Sequence, residues 1–213
     1  ESILQWNMRG FINNMEGLRR IVGEHKPFGL CLQETKIRPG QIIRIPGYTV
    51  YSKEVQPAPG GRAHGGVAVC VRENISSRRL PLQTNLQAVA VRLATPLQVT
   101  LVSIYLPDIY WRRGDLENLL SQLPAPVLLM GDFNSHSTWW GSVRTDAQGR
   151  ALEEIIDNAN LMLLNSGEAT HFNAHSGGFS AIDLSVATPT IAVRLEWTTL
   201  EELYHSDHFP ILV

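Results

Sequence analysis

The 213-residue sequence predicts an α/β protein in which two β-sheets pack together and carry helices on their outer faces. Three observations lead there. Short runs rich in Val, Ile and Leu recur along the chain, broken by Gly, Pro and polar clusters, which is the pattern of many short strands. Apolar residues return at helical spacing in only three places. Hairpin-like pairs of runs alternate with strand-helix-strand passages, and that mixed order favours two packed sheets over one doubly wound parallel sheet.

Taken in order, "SILQWN" (2–7) predicts the first strand, and "NNMEGLRRIVGEH" (13–25) the first helix, with Met15, Leu18, Ile21 and Val22 on one stripe. "FGLCLQE" (28–34), "YTVYS" (48–52), "GGVAVCVRE" (65–73), "QAVAVRLA" (87–94) and "LQVTLVSIYLP" (97–107) follow as strands. "GDLENLLSQL" (114–123) predicts the second helix, "VLLMGDFN" (127–134) another strand and "GRALEEIIDNANL" (149–161) the third helix, each helix with an acid in its first turn. "LMLLNSG" (161–167), "AIDLSVAT" (181–188), "IAVRLEW" (191–197) and "HFPILV" (208–213) complete the strands. Pro and Gly mark 53–66 as an exposed loop.

This length suits one domain, residues 1–213, able to bury roughly 70% of the surface of its unfolded chain, and the abrupt ends suggest a domain cut from a longer protein. A hydrophobic fraction of 44% with 18% charged residues is that of a globular protein, and no segment is apolar enough to span a bilayer. No membrane partner is expected. Cys31 and Cys70 sit inside apolar runs, which predicts buried reduced thiols and a reducing compartment. With 18 Lys and Arg against 20 Asp and Glu, nucleic acid can be bound only through a local basic patch.

The apolar runs share an oddity. "QWN" ends on Asn7, "LCLQE" on Glu34, "VSIY" on Tyr105 and "VLLMGDFN" on Asp132 and Asn134, while "AIDLS" holds Asp183 and "SDH" brings Asp207 and His208 to the start of the last strand. A carboxylate in an apolar run is costly to bury unless it is paired, hydrogen-bonded or metal-bound. Such side chains recurring at strand ends point to one converging site. Glu, Asp and Asn oxygens are hard ligands suited to Mg²⁺. Zinc is disfavoured because the pairs His171/His175 and His205/His208 lack matching partners, and no "GxSxG" supplies a nucleophilic serine. Metal-assisted attack of water on a phosphate ester remains.

"QWN", "LQET", "SIYLP", "GDFN", "SAIDLS" and "SDH", in that order over the whole chain, resemble the exonuclease-endonuclease-phosphatase superfamily. The likeness is closest to the apurinic-endonuclease-like domain of non-LTR (LINE-type) retrotransposons, and "GDFNSHSTWWGS" with "EATHFNAHSGGFSAIDLSVATP" looks like their insect-type members. The resemblance implies a four-layer α/β sandwich of mixed or antiparallel sheets, DNase-like, with its site at one rim. It implies that Glu34 is the main Mg²⁺ ligand, with Mn²⁺ as a substitute, and that Asn7 and Asp207 lie close to the metal or its waters. Asp132 would position and deprotonate the attacking water, and Asn134 would donate to the phosphate. His208, oriented by Asp183, would contact that phosphate, while Tyr105 would donate to it or stabilise the leaving group.

Thr170 and Ser180 match family positions that touch the DNA backbone, and Arg112, Arg113 and Arg144 are expected to supply charge near the rim. Where repair enzymes carry an acid two residues after the first Asn, this chain has Arg9, which favours the retrotransposon type and a backbone contact by Arg9. Trp139 and Trp140 suggest a stacking platform with at least one member in the core, and the 53–66 and 173–179 loops are where target preference is expected. The implied activity is Mg²⁺-dependent nicking of one strand of duplex DNA, leaving a 3′-hydroxyl that primes a reverse transcriptase of the same polyprotein. The domain is expected to be monomeric in isolation and to act in the nucleus after passing through the cytoplasm as a ribonucleoprotein. The alternative on the same fold is an inositol-phosphate or sphingolipid phosphodiesterase.

Overall fold

The computed structural model describes residues 1–55, 64–107 and 111–213. In chain order the elements are β1 (Ile3–Asn7), α1 (Met15–His25), β2 (Gly29–Gln33), β3 (Tyr48–Lys53), β4 (Val67–Arg72), β5 (Ser77–Leu80), β6 (Gln87–Leu93), β7 (Thr100–Tyr105), α2 (Arg113–Ser121) and β8 (Val127–Asp132). They continue with α3 (Ala147–Asn158), β9 (Met162–Leu163), β10 (His171–Asn173), β11 (Gly178–Ser180), β12 (Asp183–Ala187), α4 (Pro189–Ala192), β13 (Thr198–Thr199) and β14 (Ile211–Leu212). Two six-stranded sheets result, in the orders β13-β14-β1-β2-β4-β3 and β5-β6-β7-β8-β12-β9, with β10-β11 as a separate hairpin.

Both sheets are mixed for the reason the sequence suggested. Connections through a helix make the parallel pairs, β1 with β2 across α1 and β7 with β8 across α2, because a parallel partner needs a long crossover. The direct β3-β4 and β6-β7 connections make antiparallel pairs.

Alternation along each strand sorts the layers. Leu4 and Trp6 of β1, with Leu30, Leu32 and Cys70, pack under Leu18 and Ile21 of α1. Ile3, Cys31, Val69, Leu101, Leu128 and Met130 meet between the sheets. Val102, Ile104, Leu129, Leu184 and Val186 face Leu116 and Leu119 of α2 and Leu152 and Ile155 of α3. The stack is therefore helix, sheet, sheet, helices: the four-layer DNase-like sandwich that the resemblance implied. Cys31 and Cys70 are free and buried as expected, and burial raises both thiol pKa values.

Local differences have local causes. "IAVRLEW" is no strand: Pro189 follows the extended Thr188 and opens the short helix α4, a favoured first position for proline. Only Met162–Leu163 of "LMLLNSG" pairs, at the sheet edge beside β12. The third helix starts at Ala147, capped by Asp146, whose side chain accepts from the Gly149 N–H, and its first turn holds no acid. β5 and the β10-β11 hairpin escaped because their polar, half-exposed residues carry little hydrophobic signal. Much of the 53–66 loop, residues 56–63, lies outside the described residues.

Candidate active site

Alternation that buries apolar residues also aims the polar ones. Asn7 continues the inward face of Ile3, Tyr105 that of Leu101, and Asp132 that of Leu128 and Met130, all of which reach the inter-sheet layer. Asp183 opens β12 and pairs in register with Asp132, which in turn pairs with Tyr105. Three neighbouring strands of one sheet thus present Tyr105, Asp132 and Asp183 side by side, and β1 brings Asn7 across from the other sheet.

Their contacts form one network. Asn7 Nδ2 donates to Asp132 Oδ2 at 2.9 Å, and the Asn134 N–H donates to Asp132 Oδ1 at 3.0 Å. His208 Nδ1 donates to Asp183 Oδ2 at 2.8 Å, which turns Nε2 toward Asp132 Oδ2, 3.9 Å away. The other oxygen, Asp183 Oδ1, is buried with no hydrogen-bond partner among the described residues. Asn134, at φ +46°, also donates its side-chain amide to the Leu106 carbonyl. This fixes the turn after β8, and Asn is among the residues that tolerate such a conformation. Tyr105 is buried beside the cluster, 9% exposed.

Several supports went unpredicted because each is a single polar residue in a loop or core. Ser206 Oγ donates to the Asn7 carbonyl and accepts from the His208 N–H, while Trp6 Nε1 donates to the His208 carbonyl. These bonds tie the last segment of the chain to β1. The His171 ring lies 4.6 Å from that of His208, and its Nδ1 is 3.1 Å from Ser180 Oγ.

Burial and neighbouring charges shift Asp132, His208 and Asp207. Burial and the charge of Asp183 push Asp132 up to about 8, against His208, the Asn7 amide and the Asn134 N–H, which pull it down. For His208, burial acts to lower the pKa, but Asp183, Asp132 and Asp207 together raise it to about 9. A charged imidazole among carboxylates is the expected result. Burial also acts to raise Asp207, yet His171, His208 and Arg9 hold it down to about 2.

Oxygen donors dominate the site, as a hard divalent cation requires. Among the described residues, ligand atoms come within 4.8 Å of one another in two sets, Asp132 with Asp183 and His208, and His171 with Asp207 and His208. Glu34 stands outside both sets. Its strand end adjoins that of Asn7, whose register partner is Gln33, and its carboxylate is held by Lys36 Nζ at 2.9 Å. Arg9 is turned to Asp207, with Nη1 to Oδ2 at 2.7 Å.

The residues expected to touch DNA separate in the structure. Thr170 is fully buried, and its hydroxyl accepts from the N–H groups of Ile182 and Asp183. It shapes the entry to β12, and its hydroxyl is closed to solvent there. Arg113 lies on the outer helices, where Glu117 and Glu154 pair with its partly exposed guanidinium. Arg112, at the start of α2, and Arg144 are exposed, and Ser180 is half-buried against His171. Trp140 is wholly buried in the core, whereas Trp139 is 49% exposed.

Comparison with known proteins agrees with this architecture. The family described as endonuclease-reverse transcriptase matches residues 99–212, just over half of the chain. The RNA-directed DNA polymerase from mobile element jockey of Drosophila funebris is 34% identical over 212 residues, and its counterpart in Drosophila melanogaster 33%. Each match covers 97% of this chain, which spans only 23% of either relative. Among solved structures, the endonuclease domain of TRAS1, a telomere-specific non-LTR retrotransposon, superposes with a TM-score of 0.82 at 24% identity, covering 99% of this chain and 95% of that one. The AP endonuclease LMAP from Leishmania major follows at 0.80 and 15% identity, covering 99% and 86%.

Proposed function

The chain belongs to the endonuclease-reverse transcriptase family, and from that premise we propose that it is a Mg²⁺-dependent endonuclease domain that nicks one strand of duplex DNA. The observation that carries the reading is the convergence of Asn7, Asp132, Asp183 and His208 from three strands and the last segment of the chain. No separate element needs such a cluster for stability, since buried acids cost free energy.

Each side chain has a task that its surroundings support. Asp132, with a pKa pushed up to about 8, holds a proton more strongly than an ordinary carboxylate, so in its charged form it is an effective base for the attacking water. The water oxygen bonds to phosphorus, its proton passes to Asp132, and the bond from phosphorus to the 3′-oxygen breaks. His208, kept positive by Asp183, offers Nε2–H to a phosphate oxygen. Tyr105 stands one strand from Asp132 and serves the departing oxygen, and Asn134, beside Asp132, donates to the phosphate. Glu34, Asn7 and Asp207 would hold magnesium, with manganese as a substitute, because their oxygens form a hard-ligand set. When bound, the ion supplies positive charge to the phosphate and the leaving oxygen.

The products are a 5′-phosphate and a 3′-hydroxyl. The chain spans 23% of its curated relatives, which are named RNA-directed DNA polymerases, and this supports a reading in which that hydroxyl primes reverse transcription by another part of the same polyprotein. Such work would take place on genomic DNA in the nucleus. Among the described residues no helix is long and apolar enough to cross a membrane.

The test is a supercoiled-plasmid nicking assay with Mg²⁺ and with EDTA. Asp132→Ala and His208→Ala should each lower the rate by about a hundred- to ten-thousand-fold, the range for a lost acid-base or charge-stabilising group. Nicking that persists unchanged in either variant rules out the proposed chemistry.

A further inference from the structure

Beside the site lies a cleft of about 980 Å³ whose lining includes Arg9, Lys36, Arg38, Arg44 and His64 and, among the described residues, no carboxylate. Two of these cations face two ways. Arg9 bonds Asp207 at 2.7 Å and Lys36 bonds Glu34 at 2.9 Å, while Lys36 Nζ also reaches the Arg9 carbonyl at 3.3 Å. The result is a chain of charges from Asp207 through Arg9 and Lys36 to Glu34, drawn across the mouth of the site. All four side chains stay partly open to solvent, with Arg9 56% and Lys36 30% exposed.

We propose that Arg9 and Lys36 are internal competitors of the divalent cation, and that once displaced from Asp207 and Glu34 they bind phosphates of the DNA strand flanking the cut, in the adjoining cleft. This rests on the reading of Glu34 and Asp207 as metal ligands. A carboxylate oxygen that serves a guanidinium or an ammonium at hydrogen-bond distance presents less charge to a metal. Both cations sit on long, partly exposed side chains, so an exchange of partners costs little in packing. The cleft gives them a destination of the right sign, because its other charged residues are also basic and a phosphate strand has high affinity for such a surface. Metal binding and DNA binding are coupled by this exchange: what the two cations lose at the carboxylates they regain at the strand.

The experiment is Mn²⁺ binding to the full chain without DNA, by isothermal titration calorimetry, together with anisotropy of a labelled duplex in Ca²⁺, which fills an oxygen-ligand site. Arg9→Met and Lys36→Met remove the charge, keep an unbranched chain and add no oxygen ligand, and Arg9→Lys retains the charge. Arg194→Met, beyond α4 and exposed, controls for a general change in net charge. Each of the two methionine variants should bind Mn²⁺ about two- to five-fold more tightly, the range of an exposed ion pair, and should bind the duplex more weakly. Arg9→Lys should stay near the parent, and Arg194→Met should change neither reading. Unchanged or weakened Mn²⁺ binding in Arg9→Met and Lys36→Met overturns the competition, as does an equal gain in Arg194→Met. If the parent chain binds no Mn²⁺, the metal-site reading itself fails and takes the inference with it.

Discussion

At the scale of single residues, the titrating groups of the site set a pH dependence of folding. His208 is held at about 9, above the ~6.5 of an unfolded histidine. It therefore adds stability that is complete below pH ~6.5 and is lost as the pH rises through the folded value. Asp132, raised to about 8, binds its proton more tightly folded than unfolded, so it too gives up stability as the pH rises, from its unfolded value of ~4 to its folded one. Asp207, held down to about 2, stabilises the fold above its unfolded value and fails only in acid. Thermal melts of the metal-free chain should show the melting temperature falling between about pH 4 and 9, through Asp132 first and His208 above pH ~6.5, with up to ~1.4 kcal/mol per pH unit from each titrating group. In Asp183→Asn, where His208 loses its partner, the fall should end at lower pH and be smaller. A flat profile in the parent would contradict the buried pairing. Thr170 offers a second test: Thr170→Val leaves two buried N–H groups without their acceptor and should cost about 1–3 kcal/mol by urea denaturation. Nicking should slow as well, since Asp183 is one of the residues that hydroxyl secures.

At the scale of elements, what matters is how closely β7 and β8 approach. Gly131 lies one residue before Asp132, and a Cβ there would stand 2.1 Å from the Ile104 carbonyl oxygen, which belongs to backbone and cannot swing aside. Gly131→Ala should force the two strands apart at the point where Tyr105 and Asp132 pair. We expect a loss of about 3 kcal/mol or more in chemical denaturation, beyond that of an ordinary substitution, together with nicking impaired more than in Thr170→Val. A soluble variant with parental stability would show that the sheet tolerates the extra atom. The β10-β11 hairpin is joined to the site by backbone bonds, Phe172 N–H to the Asp207 carbonyl and Phe209 N–H to the Thr170 carbonyl. Its exposed Phe179 packs on Phe172 and Phe209. Residues 173–179, where the sequence leads us to expect target preference, fall in this hairpin and its turn.

At the scale of the whole molecule, the division between sequence and structure follows from the range of the forces involved. Short apolar runs rich in Val, Ile and Leu marked most strands, period-3.6 stripes marked the three long helices, and polar residues at the ends of the apolar runs marked Asn7, Asp132, Asp183 and His208. Those signals are local, because a strand's own alternation decides which side chains face inward. Only the tertiary structure decided which hydroxyl is buried and which charge is already spoken for. Thr170 matches a family position that touches the DNA backbone, and the turn into β12 encloses it. Arg113 reads as a free cation, yet α3 brings Glu154 to it from 41 residues away. Arg9 meets Asp207 from the opposite end of the chain. Such pairings depend on how strands register and layers stack over long separations, and no periodicity in a single segment encodes them.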